Sequence, residues 1–237
     1  VRNILNDNYT HFYVKKADAS RIYGLELEDI LSPDKINFLV YENTLIEEHI
    51  LGIPGDVFIK KNFKNCSDSE KAQIAKEFVK FNERCLIRLL GDMRSYNYVV
   101  IPIHDFDQVV YKIRPIDFDQ QSYEGSLKLY RPQFFIENYA MVDMVQKKLQ
   151  ESSVEQYRNE ERANVAKRIH SSYKRIRSLM RIMSKDKIAP KEHLDQLKNE
   201  LYEYTHDIKL KKVRSMGALL IVDFEFVSRN YKNVNRM

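Results

Sequence analysis

An Asp and an Asn stand five residues apart in Leu90-Gly91-Asp92-Met93-Arg94-Ser95-Tyr96-Asn97, and two more carboxylates follow in Ile116-Asp117-Phe118-Asp119. Such oxygen donors suit magnesium, which is commonly held by one or two carboxylates together with the phosphates of a substrate. Phosphoryl transfer asks little covalent chemistry of a protein. It needs a metal to neutralise phosphate oxygens, a group that orients the attacking hydroxyl, and positive charge near the transferred phosphoryl. Arg94, two residues after Asp92, supplies such a charge. Singly, Asp92 and Asn97 are ordinary turn residues, because Asp, Asn and Gly favour turns. The chemistry depends on the two segments meeting.

The elements between them predict that they meet. Residues 98–103 and 109–113 read as strands around a turn at 104–108, a hairpin that returns the chain to Asp117. On an extended strand Asp117 and Asp119 face the same side, so either can be the ligand. Upstream, Ser67 and Glu70 have the capping-box form and open a helix to about Leu90, with an apolar stripe at Ile74, Phe78, Phe81, Cys85 and Leu89. Residues 11–15 read as a strand. Residues 44–51 read as a short helix, since Thr44 and Glu47 repeat the capping-box form. Residues 56–59 look like another strand. Most Gly and Pro residues precede a soft boundary near Arg131-Pro132; beyond it helices are expected near 136–150, 154–185 and 191–205. Val165, Ile169, Tyr173, Ile176, Met180 and Met183 stripe the middle one, as in a core or a helix-pairing surface.

Asp92 followed at plus five by Asn97 resembles the catalytic loop of the protein-kinase-like superfamily, in which Asp, four residues and Asn are fixed. Leu90-Gly91-Asp92 is similar to the His-Gly-Asp of aminoglycoside-phosphotransferase-like kinases, with Leu in place of His. Ile116-Asp117-Phe118-Asp119 resembles the metal-binding Asp-Phe-Gly, or its Ile-Asp-Phe/Trp counterpart, with Asp119 where Gly would stand. The resemblance implies that Asp92 is the catalytic base, that Arg94 stabilises phosphoryl charge, and that Asn97 and Asp117 hold magnesium with Asp119 as a second metal candidate. It also implies that Lys15 or Lys16 binds ATP, with Glu48 on the 44–51 helix as ion-pair partner across an insertion at 17–42. Lys60 is the second choice. No Gly precedes Lys15, so the Gly-rich phosphate loop of the family is missing. The resemblance spans roughly residues 10–125, with its motifs in 89–119.

The bulk numbers bound the rest. The chain has 237 residues, 43% hydrophobic and 31% charged, which fits a globular domain rather than a disordered one. A formal charge of +5 inclines it towards anionic partners. Cys66 and Cys85 form neither a disulfide framework nor a zinc cluster and read as free thiols of a cytoplasmic protein. The longest apolar run, residues 216–222, is far short of a bilayer span, so no membrane is expected. The chain begins with Val1 rather than Met, as a fragment or processed product does. The basic residues Lys167, Arg168, Lys174, Arg175, Arg177, Arg181, Lys185 and Lys187 read first as a solvated helix face, and second as a nucleic-acid docking surface.

The expected fold is α+β: a kinase-like, sheet-containing part over residues 1–131 with a helical part over 132–237 packed on it, the long helix able to pair with a second copy. The expected function is ATP- and magnesium-dependent transfer of a phosphoryl group to a hydroxyl-bearing acceptor, protein or small molecule. The alternative is a non-catalytic binding module, either a pseudokinase-like interaction protein or a basic helical nucleic-acid binder.

Overall fold

Strand β1 (Phe12–Lys16) leads through Asp18 into helix α1 (Ala19–Leu31) in a computed structural model that describes residues 1, 9–106 and 108–231. The Asp18 carboxylate accepts from the Arg21 backbone N–H, a cap that satisfies one of the free amides of the first turn. Strands β2 (Phe38–Tyr41) and β3 (Thr44–Glu48) follow, and the three form an antiparallel sheet in the order β1-β3-β2. Residues 44–48 are thus extended rather than helical. Leu45 and Glu47 are buried while Ile46 and Glu48 are more exposed, the two-residue alternation of a strand with one face on the core. Pairing on both sides, with β1 and with β2, outweighs the local capping-box form.

Strand β4 (Ile53–Pro54) is only two residues long, because Pro54 has no N–H to continue a ladder. The chain then coils as α2 (Gly55–Val57), a single π turn (Phe58–Asn62) and a 3-10 turn (Phe63–Asn65), in place of the strand expected over 56–59. Phe58 is buried by that coil. Helix α3 (Asp68–Arg88) opens on the expected capping box, with Ser67 and Glu70 each bonded to the other's backbone N–H. It stops at Leu89, which takes a left-handed conformation.

Strands β5 (Tyr98–Asp105) and β6 (Gln108–Pro115) form the expected antiparallel hairpin and extend β4 into a second sheet, β4-β5-β6. Asp107 of its turn lies outside the described residues. Three short 3-10 turns lead to α4 (Tyr139–Lys148), so the helix expected from 136 begins three residues later. The helix expected over 154–185 is two, α5 (Glu151–Ser171) and α6 (Tyr173–Met183). They part at Ser172, whose backbone leaves helical angles at φ −106° and ψ 20°, and the Arg168 carbonyl there accepts from both the Ser172 N–H and the Ser171 hydroxyl. Helices α7 (Lys191–Thr205) and α8 (Met216–Tyr231) complete an α+β fold with both sheets in its N-terminal half.

Two apolar cores flank α3. One gathers Leu45, Phe78, Phe81, Val100, Phe118 and Met141 between the sheets, α3 and α4. The other joins Tyr23, Leu27 and Leu31 of α1 to Leu86 and Ile87 of α3 and to the helices α5 to α8. Helix α1 is fixed further by polar contacts. Glu28 and Arg88, both almost wholly buried, form an ion pair between α1 and α3. Arg175 binds Asp29 and Glu26 at 2.6 Å each, Arg168 donates to the Leu31 carbonyl, and the Tyr23 hydroxyl donates to Asp186. Two members of the basic run, Arg168 and Arg175, therefore turn onto α1. Among the described residues no helix is long and apolar enough to cross a membrane, and both cysteines are free.

Candidate functional site

The segments that carry Asp92 and Asp117 are bonded together along their length. Leu90 bridges Gln121, the Gly91 N–H donates to the Gln120 carbonyl, the Ser122 N–H donates to the Leu89 carbonyl, and the Ile116 N–H donates to the Asn97 carbonyl. The hairpin performs this return, pairing Tyr98 with Pro115 at its base. Asp92 sits at φ 54°, a left-handed position that Asp tolerates better than most side chains. That geometry lets the Arg94 N–H close back onto the Asp92 carbonyl. The whole loop is seated on Asn138, whose amide donates to the carbonyls of Met93 and Pro132 and accepts from the buried Tyr98 hydroxyl.

The candidate side chains of the Asp92–Asn97 loop have defined partners. Asn97 Nδ2 donates to the Asp92 carbonyl at 2.7 Å and to Asp92 Oδ2 at 3.2 Å. Asp92 Oδ1 accepts from Arg94 Nε at 2.8 Å, and Arg94 Nη1 reaches Glu137 at 2.7 Å. These two carboxylates hold the Arg94 proton more tightly than in a free guanidinium, Asp92 contributing most. The Arg94 guanidinium also lies over the Phe135 ring, 5.1 Å from its centroid.

Asp117 and Asp119 meet a residue that the motifs do not single out. Arg21 Nη1 donates to Asp117 Oδ1 at 2.9 Å and to Asp119 Oδ1 at 2.7 Å, while its Nε and Nη2 bind Glu47 at 2.7 and 2.9 Å. The Arg21 side chain is only 6% exposed, and burial by itself would loosen its proton; the bonds to Glu47 and Asp119 outweigh burial and raise its pKa. Gly24 makes this reach possible. A Cβ there would lie 2.8 Å from Phe118 Cβ and 3.2 Å from the Phe118 carbonyl, so only glycine lets α1 lie against the segment between the two aspartates. The sequence carries a signal for α1, namely the cap Asp18 followed by Tyr23, Leu27 and Leu31 at spacings of four, but the kinase-like resemblance assigns these residues to an insertion.

The nucleotide-binding pair expected from the resemblance is altered. Lys15 faces Glu47 at 3.7 Å, not Glu48. Strand alternation puts Tyr13, Lys15, Leu45 and Glu47 on one face of the sheet and sends Lys16 and Glu48 to the other. Lys16 is exposed, and Glu48 accepts from the backbone and side chain of Asn37. Lys60, the second-choice lysine, points to Asp56 on its own turn of helix.

A cavity of about 430 Å³ lies where the two sheets meet. It is lined by Lys15, Arg21, Glu47, Glu48, Asn97, Asp117 and Asp119, together with Tyr13, His49, Gly52 and Val99. Its size falls in the range that holds a cofactor, roughly 300–1,000 Å³. Among its lining residues four carboxylates face two cations, so the cavity is short of positive charge. Among the described residues no group of three His, Cys, Asp or Glu side chains has the form of a metal cage. Several oxygens of the lining residues nonetheless have no hydrogen-bond partner among the described residues. They include Asn97 Oδ1, whose amide nitrogen is engaged by Asp92, and the Oδ2 atoms of Asp117 and Asp119, whose other oxygens are held by Arg21. A donor set of this kind fits magnesium, which keeps several waters and shares its remaining positions with substrate phosphates.

No family model matches this chain, and neither a curated protein nor a solved structure is found to match it.

Proposed function

We propose that this chain is a kinase-like phosphotransferase that uses magnesium and ATP to phosphorylate a hydroxyl group. The observation that carries the reading is the Asn97 amide. It ties its nitrogen to Asp92, and the same residue lines the cavity that Asp117 also lines. One side chain thus links the residue read as base to the residues read as metal ligands.

The roles follow from the contacts. Asn97 Oδ1 and Asp117 Oδ2 would hold the magnesium ion, with Asp119 beside them. The bound ion would neutralise the oxygens of the nucleotide phosphates. Lys15, at the cavity wall beside Glu47, supplies charge to the same phosphates. Asp92 accepts the proton of the acceptor hydroxyl, its carboxylate aimed by Arg94 and Asn97. Arg94, braced by Glu137 and bonded to Asp92, would supply the positive charge that stabilises the phosphoryl group on the acceptor side. The two free thiols agree with a cytoplasmic setting.

A second reading, a non-catalytic nucleotide-binding module, is favoured by Arg21, which already engages Asp117 and Asp119. Melting the protein with ADP or ATP, with and without magnesium, separates the two. A ligand at a hundred times its dissociation constant stabilises the folded form by about 2.7 kcal/mol. The phosphotransferase reading expects a magnesium-dependent rise in Tm that Asp117→Ala abolishes, with slow release of ADP from ATP. A rise that ignores magnesium, without turnover, favours the binding module. No rise with any nucleotide removes both.

A further inference from the structure

We infer that Arg21 is a built-in cation of this site: its guanidinium occupies ground between Asp117 and Asp119 that a second metal ion would otherwise take, so the site binds a single divalent cation. The inference rests on the magnesium reading above and deepens it.

Asp117 and Asp119 are two residues apart on the loop that follows β6, where the Asp119 N–H turns back to Asp117 Oδ1, and each gives its Oδ1 to the same Arg21 nitrogen, Nη1. Two carboxylate oxygens converging on one point at 2.7–2.9 Å would suit a bridging cation, and here the point is a guanidinium N–H. Arg21 cannot swing away at little cost. Its other two nitrogens are engaged by the buried Glu47, its carbons are enclosed, and its backbone belongs to the capped first turn of α1. Releasing it would leave Glu47, 3% exposed, with only Lys15 at 3.7 Å. The oxygens left over, the Oδ2 atoms of Asp117 and Asp119 together with Asn97 Oδ1, would supply the protein ligands for one ion, and Arg21 is the positioning residue that holds the Oδ1 atoms of both aspartates and leaves their second oxygens free.

The test is a titration with Mn²⁺ alone, followed by the electron paramagnetic resonance signal of the free ion. The intact protein is expected to take up one Mn²⁺ per chain and Asp117→Asn none. Arg21→Gln, which frees Glu47, Asp117 and Asp119, is expected to take up two. Because that variant leaves Glu47 buried and unpaired, Arg21→Gln with Glu47→Gln serves as a second form. It removes both buried charges, keeps Asp117 and Asp119 free, and is again expected to bind two ions. One ion in the intact protein and one in both variants would leave the metal reading standing and overturn the role given to Arg21. Two ions in the intact protein would also overturn it. No ion in the intact protein would overturn the metal reading, and the inference with it.

Discussion

Asn97 donates through one amide nitrogen to both the carbonyl and the carboxylate of Asp92, five residues earlier. The bond fixes the direction of two side chains at once. Asn97→Ala is expected to lower stability by about 1 kcal/mol, because the Asp92 carbonyl keeps the Arg94 N–H but loses the Asn97 amide. It should also abolish the magnesium-dependent rise in Tm with ATP. Asn97→Asp would keep an oxygen but set a carboxylate against Asp92, and should restore neither effect. Paired melting curves with and without magnesium–ATP check this.

Gly24 sets the distance between α1 and the Asp117–Asp119 segment. Gly24→Ala puts a methyl group against Phe118, both its Cβ and its carbonyl. Overpacking of this kind costs about 1–3 kcal/mol. The same displacement draws Arg21 away from Asp117 and Asp119. Chemical denaturation measures the first effect, and a changed Mn²⁺ stoichiometry or affinity reports the second.

The Glu28–Arg88 pair is nearly sealed from water, at 2% exposure for each side chain. Glu28→Gln is expected to destabilise the chain by about 3–5 kcal/mol, since it leaves the Arg88 charge buried and alone. Replacing both, Glu28→Met with Arg88→Met, should cost far less than either single change. A double-mutant cycle in urea provides the comparison.

Asp223 lies buried on α8, and burial pushes its carboxyl group up to about 7. The folded chain therefore holds a proton between about pH 4 and pH 7 that the unfolded chain has released. Stability from this group is complete below about pH 4 and is lost as pH rises through about 7. The loss amounts to a few kcal/mol, because each tenfold change in proton affinity is worth about 1.4 kcal/mol. Asp223→Asn should raise Tm at pH 8 and change it little at pH 4. Equal changes in Tm at both values would show that the carboxyl group is not held protonated.

Local signals carried part of this structure. The Ser67–Glu70 capping box, the stripe on α3 and the 98–113 hairpin are short-range features, and each formed as its spacing implied. The hairpin brings the segments of Asn97 and Asp117 side by side, while long-range contacts to Gln121, Asn138 and Arg21 fix the rest of their setting. Thr44 and Glu47 mislead for the opposite reason. Their helical signature is local, whereas the strand they occupy is decided by β1 and β2 on either side. Arg21 is illegible in the sequence because its partners lie 26, 96 and 98 residues away, and no spacing rule reaches that far. The break at Ser172 is a local change of backbone angles, to φ −106° and ψ 20°, that apolar periodicity does not register.

Helix α1 has one edge in the cavity, through Arg21, and another in the second core, through Tyr23, Leu27 and Leu31. Residues 132–237 therefore help to hold the cavity-lining arginine in place through α1. Excising them would strip α1 of its apolar cover and of Arg175, so a shortened chain should not keep a working pocket. Melting is accordingly expected as one cooperative event, with the calorimetric and van't Hoff enthalpies in agreement.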